Sequence, residues 1–185
     1  MRDWSLHLLD LMENSLRARA KTVRLSVRLK EDGWMELALS DDGCGIPPEL
    51  LGRVTSPFAT TRTTRRVGMG LSLARQNAER SGGSLSLESE EGRGTAVTIR
   101  ADSRHIDCLP LGDLAQTFHS LICLNPNGPD FEWELASPKG RETFSTKEIK
   151  SVLGEQVSLN EPEVRDYLKS LLEEQCQSVF GGILQ

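Results

Sequence analysis

Hydrophobic side chains follow two kinds of spacing in the first 40 residues of the chain. From residue 4 to residue 19, leucine, methionine and alanine recur every three or four positions, which is the spacing of one face of a helix. Residues 22 to 30 and 34 to 40 instead alternate apolar and polar side chains, and an Asp32-Gly33 turn signal separates them. The pattern predicts a helix followed by a β-hairpin.

The same two patterns return further along the chain. Residues 68 to 83 predict a second helix that begins on glycines, and residues 84 to 101 predict a second hairpin that turns at Glu91-Gly92. Because all four strands are amphipathic, one face of the sheet is expected to pack on the helices. The predicted fold class is α/β (α+β), a two-layer sandwich of helices on a mixed, largely antiparallel sheet.

The sequence changes character after Ser103. Three prolines interrupt residues 104 to 130, so no long element is predicted there. A further hairpin is predicted over residues 131 to 145, followed by a helix with a capping-box serine at Ser145 and by a last helix that opens at Asn160.

These differences predict two domains. Residues 1–103 form the first, and residues 104–185 form a small, acidic α+β C-terminal extension whose role is unknown.

Composition narrows the class of function. The chain has 185 residues and a formal net charge of −5, which argues against general nucleic-acid binding. It contains no apolar run of the roughly 20 residues that a membrane span needs, and its first apolar segment carries acids, unlike a signal peptide. The four cysteines are scattered without a C-x-x-C pair, so neither a disulfide framework nor a zinc site is indicated. We therefore expect a cytoplasmic protein.

Glycine pairs with one intervening residue occur three times, at 43–45, 68–70 and 92–94. Each alone is typical of an ordinary turn, but three of them favour several loops that converge on one ligand. Residues 50–78 contain arginines and no acid, so the ligand could be an anion, although a solvated basic loop has the same composition.

Two common nucleotide-binding motifs are absent. The chain has no Gly-Lys dipeptide and therefore no P-loop. The dinucleotide pattern G-x-G-x-x-G fails because Leu73 stands where the third glycine is required.

Four segments, in order, resemble the ATP-binding boxes of the GHKL superfamily, which includes gyrase, the large heat-shock chaperones, histidine kinases and MutL-type proteins. "LLDLMENSLRARA" resembles the N box, "DDGCGIP" the first glycine box, "SPFATTRTTRRVGMGLSLA" the phenylalanine motif, lid and second glycine box, and "GGSLSLESEEGRGTAVTI" the closing box of a histidine-kinase catalytic domain. The resemblance covers about residues 4 to 101 and is closest to the histidine-kinase-like ATPase domain.

The resemblance implies a site for ATP. Asp41 would accept a hydrogen bond from the adenine amino group, Gly43 and Gly45 would let the backbone turn under the base, and the hydroxyl of Thr95 would bridge to adenine through water. The implied cofactor-binding residues are Asn14, Arg17, Asp41, Gly43, Gly45, Ile46, Phe58, Thr61, Arg62, Gly68, Met69, Gly70, Leu71 and Thr95.

The phosphate end of that site combines a helix terminus, a metal ligand and basic residues. Backbone amides of residues 68–71 would face phosphate oxygens, and Asn14 would hold Mg²⁺. Arg17 is equally compatible with a phosphate contact and with a solvent-facing helix charge, and residues 60–67 are expected to form a mobile lid.

Asp10 is the candidate catalytic residue. Family members that hydrolyse ATP carry a glutamate four residues before the asparagine, and here that position is Asp10, one methylene shorter. Glu13 directly precedes Asn14 and is therefore turned about 100° away from it around the helix. Hydrolysis is therefore expected and is expected to be slow, while a solvated helix carboxylate is the alternative.

Two functions remain open at this stage. The chain would hydrolyse ATP, or transfer its γ-phosphoryl group to a partner protein in trans, with Mg²⁺; the alternative is a nucleotide-gated, anti-sigma-like regulatory module. His7 and His119 are expected to be structural rather than phosphoacceptors. No nucleic-acid or membrane partner is expected, and the sequence leaves the protein partner and the oligomeric state open.

Overall fold

The computed structural model describes residues 1–54, 69–154 and 157–183. Its elements in chain order are α1 (Trp4–Arg17), β1 (Thr22–Leu29), β2 (Trp34–Asp41), α2 (Pro48–Val54), α3 (Met69–Arg80), β3 (Ser84–Glu90), β4 (Gly94–Asp102), α4 (Leu114–Leu124), β5 (Asp130–Ser137), β6 (Gly140–Ser145), α5 (Thr146–Leu153) and α6 (Pro162–Phe180).

The strands form one six-stranded sheet in the order β3-β4-β2-β1-β5-β6. Neighbouring strands run antiparallel except β1 and β5, which are parallel with Val23 opposite Phe131. The predicted fold class, helices on a mixed and largely antiparallel sheet, is confirmed.

Helix α1 lies at the centre of the helical layer. Asp3 caps it, because its carboxylate accepts a hydrogen bond from the Leu6 amide at 3.0 Å. Most of the apolar stripe that predicted this helix is buried, with Leu8 and Met12 each 0% exposed, whereas Leu6 is 40% exposed. The stripe packs on the sheet and fixes the orientation of the polar residues on the rest of the helix.

Alternation along the strands separates the two faces of the sheet. In β1, Val23, Leu25 and Val27 are buried toward the helices, while Arg24 and Arg28 are exposed on the opposite face. The two arginines pair there with Glu132 and Glu134 of β5.

The C-terminal residues add to the same sheet and the same helical layer. Phe118 of α4 stacks on Trp133 of β5 with ring centroids 4.8 Å apart. The Trp133 indole N–H donates to Gln175 of α6 at 2.7 Å, so a helix and a strand from this region are joined by a buried ring and a directed hydrogen bond.

Two helices and one cap differ from the sequence predictions. Helices α2 and α4 were not predicted. Helix α4 lies entirely between Pro110 and Pro126, so these prolines flank an 11-residue helix rather than prevent one. Its buried face, which includes Phe118 and Ile122, packs toward the sheet, α1 and α6. Ser145 makes no side-chain capping hydrogen bond, since it ends β6. Instead, the neighbouring Thr146 hydroxyl accepts from the Phe131 amide at 2.8 Å.

Within the described part of the chain, no helix combines the length and the apolar character that crossing a bilayer requires.

Candidate functional site

The two residues predicted to recognise a nucleobase lie directly opposite each other in the sheet. Asp41 ends β2 and pairs in register with Thr95 of β4. Cross-strand partners point to the same face, and Leu39 and Val97, the pair two positions back along the strands and therefore on the same face, are buried on the helical side. Both side chains therefore face the helical layer at one end of the sheet.

Two donors orient the Asp41 carboxylate. The Ser15 hydroxyl, which is buried on α1, donates to Oδ2 at 2.6 Å, and the Gly43 amide donates to Oδ1 at 2.9 Å. Each carboxylate oxygen keeps a lone pair for a further donor. Asp41 itself is only partly buried, so a ligand can reach it.

The next carboxylate along the chain has a different task. Asp42 accepts hydrogen bonds from the backbone amides of Lys21 and Thr22 at 2.6 and 2.8 Å. Desolvation favours the neutral acid, but the bonds from Thr22 and Lys21 outweigh it and hold the pKa of Asp42 below its ordinary value. Asp42 therefore stabilises the start of β1 through these two hydrogen bonds.

Glycines let the loop after β2 lie close to its neighbours. A Cβ at Gly43 would stand 2.7 Å from the Ala18 Cβ. Gly45 has a φ of 68°, and a Cβ there would overlap the Glu90 carbonyl group. The Cys44 amide donates to the Ala18 carbonyl at 2.9 Å, so this loop is held against the end of α1.

One serine of β3 joins the loop to Thr95. The Ile46 amide donates to Ser89 Oγ at 2.8 Å, and Ser89 Oγ lies 2.9 Å from both the Gly94 carbonyl oxygen and Thr95 Oγ1. The predicted site residues Ile46 and Thr95 are thus linked through a residue that the sequence did not single out.

At the other end of the site, α1 meets the first turn of α3. A Cβ at Gly70 would overlap Asp10 Oδ2, so the Asp10 carboxylate lies against the backbone of that turn. Leu71, the next residue, is buried in the core. Met69 begins α3, while the predicted residues Phe58, Thr61, Arg62 and Gly68, and the predicted lid at residues 60–67, lie outside the described residues.

Asn14 lies one turn after Asp10 and carries a cationic partner. Arg17 donates to Asn14 Oδ1 at 3.1 Å and to Glu13 Oε2 at 3.0 Å, with 59% of the arginine side chain exposed. The asparagine oxygen therefore already accepts from a positive group. A carbonyl oxygen is the kind of hard ligand that Mg²⁺ accepts, and Asn14 Oδ1 keeps a second lone pair, so Asn14 fits as one oxygen ligand of such an ion.

The two histidines that were expected to be structural are buried. His7 lies between α1 and α3, with Nε2 3.0 Å from the Asn77 amide nitrogen. Desolvation, and then the positive N-terminus, lower the pKa of His7 to about 4 against a smaller opposing effect of Asp3. His119 Nε2 lies 3.0 Å from the Arg165 carbonyl oxygen.

Ser15 and Ser89 are the residues that the sequence analysis missed. A signal for each was present, because both serines stand in the apolar phase of an amphipathic element. Ser15 continues the stripe of Leu8 and Leu11 on α1, and Ser89 continues the alternation of Leu85 and Leu87 on β3. A hydroxyl in such a position requires a partner inside the fold.

Comparison with known families matches residues 5–105 to the family described as histidine kinase-, DNA gyrase B-, and HSP90-like ATPase. Among curated proteins, the chain is 35% identical over 98 residues to the histidine protein kinase DivJ of Caulobacter vibrioides. This match covers 50% of this chain and 16% of that protein. It is 35% identical over 95 residues to the sensor histidine kinase YkoH of Bacillus subtilis (49% and 21%), and 39% identical over 83 residues to the two-component sensor PprA of Pseudomonas aeruginosa (44% and 9%). The match thus spans about a fifth or less of each relative's length.

Among solved structures, the chain is similar to the N-terminal domain of a DNA repair protein. The TM-score is 0.53 at 16% identity, and the match covers 98% of this chain and 58% of that one. At this identity the likeness concerns the fold alone.

Proposed function

The chain belongs to the family of histidine kinase-, DNA gyrase B- and HSP90-like ATPases, and we propose that it binds ATP with Mg²⁺ between Asp41 and the first turn of α3. We further propose that it hydrolyses this ATP or transfers the γ-phosphoryl group to a partner protein. In this proposal Asp41 accepts from the adenine amino group, with Thr95 beside it.

The observation that carries the proposal is the contact between Asp10 and Gly70. The amino-terminal amides of a helix favour phosphate oxygens, and the Asp10 carboxylate lies against that turn of α3. A general base must come within about 3 Å of the proton that it removes. This contact supports the proposal that Asp10 reaches a water molecule beside the terminal phosphate.

The chain's own residues divide the chemistry in a simple way. Asp10 accepts a proton from the attacking water molecule while the water oxygen forms a bond to the γ-phosphorus. The bond from that phosphorus to the β–γ bridging oxygen breaks, and ADP is released. Asn14 would hold Mg²⁺, which neutralises phosphate charge when bound. Arg17, already beside Asn14, adds a second positive charge at this end.

A turnover experiment tests the catalytic role. The full chain is incubated with γ-labelled ATP and Mg²⁺, and released phosphate and labelled protein are followed with and without candidate partners. Asp10→Asn keeps the shape of the side chain but not its basicity, so turnover should fall by roughly 10²–10⁴-fold. Glu13→Gln is the matched control and should retain turnover, because Glu13 faces Arg17. Undiminished turnover in Asp10→Asn would contradict the assignment.

A second candidate, a nucleotide-gated binding module, is supported by the way α1 begins. The Trp4 and Ser5 amides, which have no partner within the helix, donate to the carbonyls of Pro110 and Leu111 at 3.0 and 2.8 Å. A displacement of α1 by nucleotide would therefore reach the C-terminal residues directly. Tight ATP binding without turnover in the unmodified chain would favour this candidate.

A further inference from the structure

Ser15 controls the orientation of the Asp41 carboxylate. Its single proton has two acceptors in reach, Asp41 Oδ2 at 2.6 Å and the Leu11 carbonyl oxygen at 3.4 Å. The shorter contact, to a charged oxygen, takes the proton. Because Ser15 is only 2% exposed, its hydroxyl is shielded from solvent, and the carboxylate is oriented by the Ser15 hydroxyl on one oxygen and the Gly43 amide on the other.

The three hydrogen-bond contacts of Ser89 Oγ determine where the Thr95 hydroxyl proton points. The Gly94 carbonyl can only accept, so the Ser89 proton goes to it. The Ile46 amide can only donate, so it takes one lone pair of Ser89 Oγ. The remaining contact, between the Ser89 and Thr95 hydroxyls at 2.9 Å, is then satisfied only if Thr95 donates. This arrangement commits the Thr95 proton and leaves only lone pairs on its oxygen.

We propose that Ser15 and Ser89 are positioning residues that make the base-recognition end of this site an acceptor-only surface. This inference rests on the proposed function, which puts the nucleobase at Asp41 and Thr95. Asp41 and Thr95 lie side by side, and all of their remaining hydrogen-bonding capacity is for donors. The two serines set that polarity without touching the ligand.

An acceptor-only surface selects among purines by the group at position 6. An amino group supplies donors to the carboxylate and, through water, to the Thr95 oxygen. A hydrogen at that position leaves both acceptors without a direct donor, and a carbonyl oxygen places lone pairs against lone pairs. Affinity should therefore fall in the order ATP, purine riboside triphosphate, inosine triphosphate.

The test measures dissociation constants of these three nucleotides, with Mg²⁺, for the full chain and its serine variants. Ser15→Ala should weaken ATP about tenfold and leave purine riboside triphosphate within twofold, since only ATP uses the fixed acceptor. Ser89→Ala should reduce the ratio of the dissociation constants of inosine triphosphate and ATP about fivefold or more. In this variant the Thr95 hydroxyl is free to donate toward the carbonyl group at position 6 of inosine triphosphate. Ser86 lies on the exposed face of the same strand, so Ser86→Ala should leave the dissociation constants of all three nucleotides in the same proportions as in the unmodified chain.

Conservative variants separate positioning from folding. Ser89→Thr keeps the hydroxyl and should restore the ratio, while Ser15→Cys keeps the volume with a weak donor and should reproduce the loss of Ser15→Ala even where the alanine variant is unstable. Equal weakening of all three nucleotides in both alanine variants would overturn the inference and leave the serines as purely structural groups. Failure of the unmodified chain to bind ATP would instead reject the proposed function, and failure to distinguish the three nucleotides would reject the placement of the base.

Discussion

The Asp10 carboxylate occupies the space that a side chain at Gly70 would need. The contact joins the middle of α1 to the first turn of α3, and the pair of His7 and Asn77 joins the same helices two turns further along α3. The absence of a Cβ at Gly70 thus decides how closely the proposed general base approaches the proposed phosphate site.

Gly70→Ala should separate folding from catalysis. Alanine is a good helix former and the atom in its way is the end of the Asp10 side chain, so the melting temperature should change little, while the new methyl group pushes the Asp10 carboxylate aside. A base displaced by about 1 Å can cost roughly 10²-fold in rate, so phosphate release should drop steeply. Gly140→Ala is the control, because nothing lies within 4 Å of a Cβ there. Full turnover in Gly70→Ala would show that the position of Asp10 does not matter.

Asp41→Asn should abolish adenine recognition with the fold intact. The substitution replaces an acceptor-only group by an amide with half the acceptor capacity, directly opposite Thr95. We expect at least a tenfold loss of ATP affinity by titration calorimetry and a melting temperature close to that of the unmodified chain. Unchanged affinity in a well-folded variant would place the adenine elsewhere.

Asp42→Asn should have the opposite effect to Asp41→Asn, with lower stability and unchanged ATP affinity. Asp42 fastens the Lys21 and Thr22 amides, so the variant should lose about 1 kcal/mol in the free energy of unfolding and keep its ATP affinity. Since folding lowers the pKa of Asp42, its contribution is present above the ordinary value of 3.8 and is lost as the pH falls through the folded pKa. Denaturant unfolding between pH 7 and 3 measures the effect, and a variant with the same acid profile as the unmodified chain would contradict it.

His7 should make the protein sensitive to mild acid. Its pKa is lowered from 6.5 to about 4 in the folded state, so between these values the unfolded chain binds a proton that the folded chain does not. Stability should therefore fall as the pH drops through this window, by about 3 kcal/mol at most. His7→Gln keeps an acceptor for Asn77 and should flatten the profile, whereas His105→Gln, at an exposed position, should not. Identical profiles for both variants would reject this role.

The candidate site was predicted from sequence to the extent that its residues belong to short motifs. Asp41, Gly43 and Gly45 fall within five positions, and Asp10 and Asn14 lie one helical turn apart, so local geometry alone groups them. Ser15 and Ser89 escaped because their partners lie on other elements. Ser15 bonds to a residue 26 positions away, and only the packing of α1 on β2 brings the two together.

The sequence by itself determined the helix of α1, the two amphipathic hairpins, the layer of helices on a largely antiparallel sheet and the family, because each is carried by local periodicity or by contiguous motifs. Only the tertiary structure decided that β5 pairs in parallel with β1, and that residues 114–124, between two prolines, form α4 and pack between the sheet and the neighbouring helices. It also decided which hydroxyls hold Asp41 and Thr95. Such facts depend on contacts between distant residues, whose formation is governed by burial across the whole core rather than by any preference of the local chain.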